Sequence, residues 1–185
     1  MGALKIKSAV LCGSSSGGYV AQQVAVQAPA RVDALVLIGA PWTLRGRTPF
    51  ADEVAALTDP IDPEWVRDSL ALFPRIQAVP NWYIEDRITD GLRMPARAWK
   101  GALAGLTSAT PPTEAGTITS PTLIMWGARD ELLSREDQEG LAAAIPDSRL
   151  LVYDETGHLV LWEQPERVAM DLTRFLAELR PDRVG

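Results

Sequence analysis

SAVLCGSSSGGYVAQQVAVQAP, residues 8–29, changes from one periodicity to another within a few residues. Its opening, Ser8-Ala-Val-Leu-Cys12, is an apolar run bounded by glycine and free of polar alternation. A strand buried on both faces reads this way. From Gly17 to Ala28 apolar residues recur at three- and four-residue spacing, at Tyr19-Val20, Val24 and Ala28, and Pro29 stops the pattern. That is a helix. Between them stands Gly13-Ser14-Ser15-Ser16-Gly17, which fits G-x-S-x-G with Ser15 at its centre. A nucleophile that stands clear of a sheet needs a strained turn with positive φ. Such a turn brings the residues two before and two after it into near contact, so Gly13 and Gly17 must be tiny. Gly18 lets the helix close on the strand, and the helix N-terminus aims its first N–H groups at the reacting centre.

Other glycine-rich readings fit less well. A flexible linker is not flanked at once by a buried strand and an amphipathic helix. A phosphate loop needs a lysine after its glycines, and none follows here; in the dinucleotide fingerprint Ser15 would occupy the place of the second glycine.

Working outward, Ala34-Leu-Val-Leu-Ile38 is a second buried strand, closed by Gly39-Ala-Pro41. From Trp42 to Ser120 the character changes: most of the prolines and four tryptophans lie here, with helical patterns such as Pro63–Phe73 and Ala96–Leu106 and no strand-like run. Strand signals return at Pro121-Thr-Leu-Ile-Met-Trp126 and Arg149-Leu-Leu-Val-Tyr153, with helices at Arg135–Ile145 and Pro165–Leu179. Strands alternating with helices imply an α/β fold on a parallel sheet. Residues 1–42 and 119–185 form its core, and 43–118 is a helical insert placed like a cap.

A serine hydroxyl is inert near neutrality unless a base takes its proton. His158 is the single histidine of the chain, in Glu155-Thr-Gly-His158 just after the last strand. A carboxylate must orient it, and Asp130 in Gly127-Ala-Arg-Asp130 stands after the third strand. Both sites fall at the C-terminal edge of a parallel sheet, where functional groups gather. Glu131, Asp154 and Glu155 are weaker candidates for the acid. With one imidazole, zinc sites built from several histidines or from Cys/His sets are excluded within a subunit, and no metal or other cofactor is expected.

The 185 residues suit one domain with a sizeable core. Their 46% hydrophobic and 23% charged fractions are ordinary for a globular protein. A net charge of -6 gives nothing that attracts nucleic acid or an anionic membrane. No stretch approaches the ~18 consecutive apolar residues of a membrane helix, and the start lacks a secretory signal pattern. A cytoplasmic setting is the expectation. Cys12, the one cysteine, excludes an internal disulfide and reads as buried filler.

These motifs together resemble an α/β-hydrolase of the esterase, lactonase and haloperoxidase-like group. The resemblance runs over essentially the whole chain: VLCGSSSGGYVAQQVA for the elbow and its helix, PTLIMWGARD for the acid strand, and DETGHLVLWEQPERVAMDLTRFL for the histidine loop and last helix. The chain order Ser…Asp…His is that of the family. The resemblance implies a catalytic set of Ser15, Asp130 and His158, an oxyanion donor at the N–H of Ser16, and 43–118 as a lid. It also implies that Trp42, Phe73, Trp82, Tyr83 and Trp99 line the pocket for a small-molecule acyl substrate. Serine at the elbow argues against the dehalogenase branch.

The family fold has eight strands with the elbow after the fifth, whereas here the elbow strand begins within the first dozen residues. The resemblance therefore implies that the C-terminal part of the fold is present, without the upstream loop that gives the second oxyanion donor. The elbow strand, ordinarily central, would be an exposed apolar edge that pairs with another copy of the chain. A truncated frame and an idle half-fold working only in such a pair are the expectations that compete with an active enzyme.

Overall fold

The computed structural model describes residues 2–46 and 51–179. Residues 47–50 of the expected cap and 180–185 of the expected core lie outside them. Strand β1 (Ala9–Ser14) leads into helix α1 (Ser16–Gln27), and β2 (Val32–Ile38) follows. Then come helices α2 (Ala51–Ala56), α3 (Pro63–Ala71), α4 (Asn81–Arg93), α5 (Ala96–Ser108) and α6 (Pro112–Ala115). The core resumes with β3 (Thr122–Gly127), α7 (Arg135–Ala144), β4 (Ser148–Tyr153), α8 (Val160–Glu163) and α9 (Pro165–Glu178).

The four strands lie in their chain order, all parallel. Side chains alternate across a strand, so β2 feeds two cores at once. Leu35 and Leu37 face α1 and α7, packing with Ala21, Ala25, Ile124, Leu141 and Ile145. Ala34, Val36 and Ile38 face the opposite way, with Leu123, Met125, Tyr153, Val168 and Phe175 of the α9 layer. Both faces are covered, which is why Ala34–Ile38 of β2 and Leu123–Trp126 of β3 read as unbroken apolar runs. Tyr153 pins β4 to α9: its hydroxyl donates to Asp171 Oδ2 at 2.8 Å, and burial with that acceptor pushes its pKa well above the ordinary tyrosine range.

Local chemistry sets the helix boundaries. Asp62 accepts from the Glu64 N–H at 2.9 Å with Pro63 in the first turn of α3. Ser134 and Asp137 exchange hydrogen bonds in a capping box at the start of α7. Helices α2 to α5 have a small core of their own, built on Val54, Leu57, Ile61, Val66, Ile88 and Ala96. As expected, no described residue between β2 and β3 forms a strand. Helix α4, which the periodicity does not single out, is as long as α5.

β1 is an edge strand. Lacking a neighbour on one side, it leaves Val10 and Leu11 half-buried and Cys12 exposed. That corrects the reading of Cys12 as buried filler: the run Ser8–Cys12 is apolar enough to be central, but at the edge its side chains are only partly covered. Among the described residues no helix is long and apolar enough to cross a membrane.

Candidate active site

The chain turns from β1 into α1 at Ser15, which has φ 50° and ψ −126°. A left-handed serine is strained by about 1–3 kcal/mol, and such strain is retained where the surroundings impose it. Here they do. The Ser15 N–H extends the ladder to β2 by donating to the Ile38 carbonyl at 2.9 Å, while the Ser15 carbonyl accepts from Gly18 N–H at 2.9 Å. A Cβ on Gly13 would lie 2.5 Å from the Gly17 carbonyl oxygen, and one on Gly18 would lie 2.4 Å from Ala40 Cβ. Gly13 and Gly18 are therefore required by crowding, as the motif implies. Gly17 is not: a Cβ there meets nothing within 4 Å. The turn brings its backbone, not its missing side chain, against Gly13.

Ser15 Oγ lies 2.9 Å from His158 Nε2, and His158 Nδ1 lies 2.8 Å from Asp130 Oδ2. The His158 and Asp130 side chains are 3% and 0% exposed, so water does not compete for the bond between them. Asp130 Oδ1 accepts from the Leu132 and Leu133 N–H groups at 2.8 and 3.0 Å, which fixes the carboxylate and leaves Oδ2 for the imidazole. A carboxylate only accepts, so these partners assign the proton to Nδ1 and the lone pair to Nε2. The Ser15 hydroxyl then donates to Nε2. Such a chain of bonds can draw a proton from a serine and hold the resulting imidazolium. The three residues belong to the loops after β1, β3 and β4. Glu131, Asp154 and Glu155 are exposed, and Glu155 is paired with Arg129.

The five aromatics separate. Phe73 stacks on His158 with ring centroids 5.1 Å apart and planes at 28°. Tyr83 meets Trp162 edge-on at 5.3 Å and carries the Arg87 guanidinium over its ring. Trp82 is 67% exposed and meets Tyr83 edge-on. Trp42 is taken up in packing against the α1 and α7 core and donates through Nε1 to Thr113 Oγ1 at 3.0 Å. Trp99 sits edge-on against Trp65 at 5.1 Å in the core of the helical insert. Phe73 is thus the member of the set in contact with the relay, while Trp42 and Trp99 complete cores.

A cavity of about 420 Å³ opens beside Ser16, between α1 (Gly17, Tyr19, Val20) and the α5 face carrying Gly101 and Leu106. A second, of about 440 Å³, lies against Asp130, Arg129 and Ile76. Neither is lined by Ser15 or His158 themselves. The α1–α5 cavity had a readable signal in the small residues of Gly101-Ala-Leu-Ala-Gly105, but only the fold sets that face opposite Val20. Ser16 is exposed at the first position of α1, where main-chain N–H groups lack partners within the helix.

A parallel sheet with a strained serine turn and a Ser–His–Asp relay at its C-terminal edge defines the class of α/β-hydrolase folds. The family model described as "Serine aminopeptidase, S33" matches residues 4–165, and the chain belongs to that family. It is 30% identical over 188 residues to a 2-hydroxymuconate semialdehyde hydrolase from a Pseudomonas species, covering 95% of this chain and 64% of that protein. It is 29% identical over 191 residues to a pimeloyl-[acyl-carrier protein] methyl ester esterase from Aromatoleum aromaticum, covering 88% and 71%. An esterase structure from Exiguobacterium antarcticum superimposes with a TM-score of 0.78 at 25% identity, covering 95% of this chain and 69% of that one. The chain spans roughly two thirds of the length of such relatives.

Proposed function

We propose that the chain is a cofactor-independent serine hydrolase of small esters, lactones or related acyl compounds. The observation that carries this reading is the unbroken relay from a strained Ser15 through His158 to the fully buried carboxylate of Asp130. Ser15 Oγ attacks the acyl carbon as its proton passes to Nε2. The oxyanion forms beside the Ser16 N–H, and Asp130 holds the imidazolium. Nε2 returns the proton to the departing alcohol, then takes one from the water that attacks the acyl-serine, and Ser15 is regenerated. The cavity that begins one residue beyond Ser15, with its apolar lining, supports a small apolar group on the substrate, and Phe73 supports a lid that covers the imidazole.

The experiment is a fluorophosphonate probe on the purified chain, with the adduct read by intact mass. Labelling of the parent and none of Ser15→Ala is the expected result; a folded parent that takes no probe refutes the reading.

A second reading has the open edge of β1 supporting pairing with another copy, in which the relay is idle. The edge position of β1 in the described sheet supports this contact. Analytical ultracentrifugation of the labelled sample separates the two: a labelled monomer removes the second reading, and an unlabelled dimer supports it.

A further inference from the structure

Glu163 breaks local rules. It ends the single-turn helix α8, where the carbonyl end disfavours a negative charge, and it is only 6% exposed. Buried carboxylates persist where hydrogen bonds satisfy them. Three main-chain N–H groups do so here, from two separate pieces of chain. Ile76 and Gln77 donate to Oε2 at 2.7 and 2.8 Å, and Gly157 donates to Oε1 at 3.0 Å. Gly157 immediately precedes His158, and Ile76 lies three residues beyond Phe73, which stacks on that histidine.

The same seam closes at two further points. Gln77 Nε2 donates to the Glu155 carbonyl at 2.8 Å. The Pro74 carbonyl comes so near Gly157 that a Cβ there would lie 2.6 Å from it. One carboxylate therefore joins the middle of the segment between α3 and α4 to the loop that carries the imidazole, through the Ile76, Gln77 and Gly157 N–H groups.

We propose that Glu163 is a positioning residue: it ties the 76–77 backbone to the histidine loop and so holds Phe73 against His158. The inference rests on the reading of Ser15, His158 and Asp130 as the working relay. Glutamine in its place has one oxygen; whichever way the amide turns, its NH₂ faces a main-chain N–H, and one side of the seam loses its acceptor.

The test uses the full chain and p-nitrophenyl acetate, with Glu163→Gln, Phe73→Ala and the double variant. Glu163→Gln is expected to keep Ser15 labelled by the fluorophosphonate while kcat falls about 10- to 100-fold. The double variant is expected to be no slower than the slower single, since both act through one contact. Hydrogen exchange by mass spectrometry is expected to rise at 74–78 and 156–158 together, by about 10- to 100-fold, the worth of hydrogen bonds to a charged acceptor. An unchanged kcat, additive losses, or exchange that rises on one side alone overturns the proposal. A parent that takes no fluorophosphonate overturns the relay reading instead, and the exchange experiment still judges the seam. Should Glu163→Gln not fold, Ile76→Pro removes one lid-side donor at an exposed residue and carries the same expectations.

Discussion

In Asp130→Asn, kcat toward a small ester is expected to fall by about 10⁴-fold, with the fold and Ser15 itself untouched. The direction follows from which atoms are already committed. The Leu132 and Leu133 N–H groups require an acceptor at Oδ1, so the asparagine carbonyl must turn toward them. Its NH₂ then faces His158 Nδ1, 2.8 Å from where Oδ2 stood. The imidazole answers by moving its proton to Nε2, which presents a donor to Ser15 and leaves no lone pair to take the serine proton. Steady-state kinetics, with circular dichroism as the control for folding, checks this. A loss of less than about tenfold would mean that Asp130 is not the orienting acid.

Gly127→Ala is expected to give the largest loss of stability among the glycine substitutions. A Cβ at 127 would lie 2.2 Å from the Gly157 carbonyl oxygen and 2.4 Å from that of Thr156. Both are backbone atoms, with no flexible side chain to yield. The loop after β3 and the loop after β4 are packed main chain to main chain, and the Arg129 N–H donates to Thr156 O at 3.0 Å. Overpacking of this kind costs about 3 kcal/mol, which in a chain of this size lowers Tm by about 6–12 °C. Asp130 and His158 are carried by these two loops, so activity is expected to fall with stability. Gly105→Ala in α5, where a Cβ meets nothing within 4 Å, is the contrasting control and is expected to be neutral or to stabilise by up to about 1 kcal/mol. Thermal denaturation of the two variants beside the parent reads the difference.

Sequence brought Ser15, His158 and Asp130 to one sheet edge because each is announced by local chemistry. Ser15 is framed by glycines, and Asp130 and His158 each follow a strand with a mainly apolar run, Leu123–Trp126 and Leu150–Tyr153. The sheet was legible for a related reason: the apolar runs Ala34–Ile38 and Leu123–Trp126 are buried on both faces of the sheet, and the strand boundaries differ by a residue or two from the expected ones. Cys12 misled because the composition of a strand does not record whether a neighbour covers it. The aromatics were the least legible. Trp42 and Trp99 are the right residue type for a pocket wall, but whether an indole faces a pocket or a core depends on how helices from distant parts of the chain stack. Glu163 gave no signal, since its three partners are main-chain N–H groups and those have no letter in a sequence.

The stack of Phe73 on His158 makes the position of the phenyl ring spectroscopically visible. A chain with one histidine gives a single pair of imidazole carbon-bound protons in its NMR spectrum, and an aromatic ring lying 5.1 Å away at 28° shields them by its ring current. Departure of the phenyl ring moves those resonances while leaving the relay's covalent chemistry alone. The contact between residue 73 and the imidazole can thus be read in the unlabelled protein, at one position, without a substrate present.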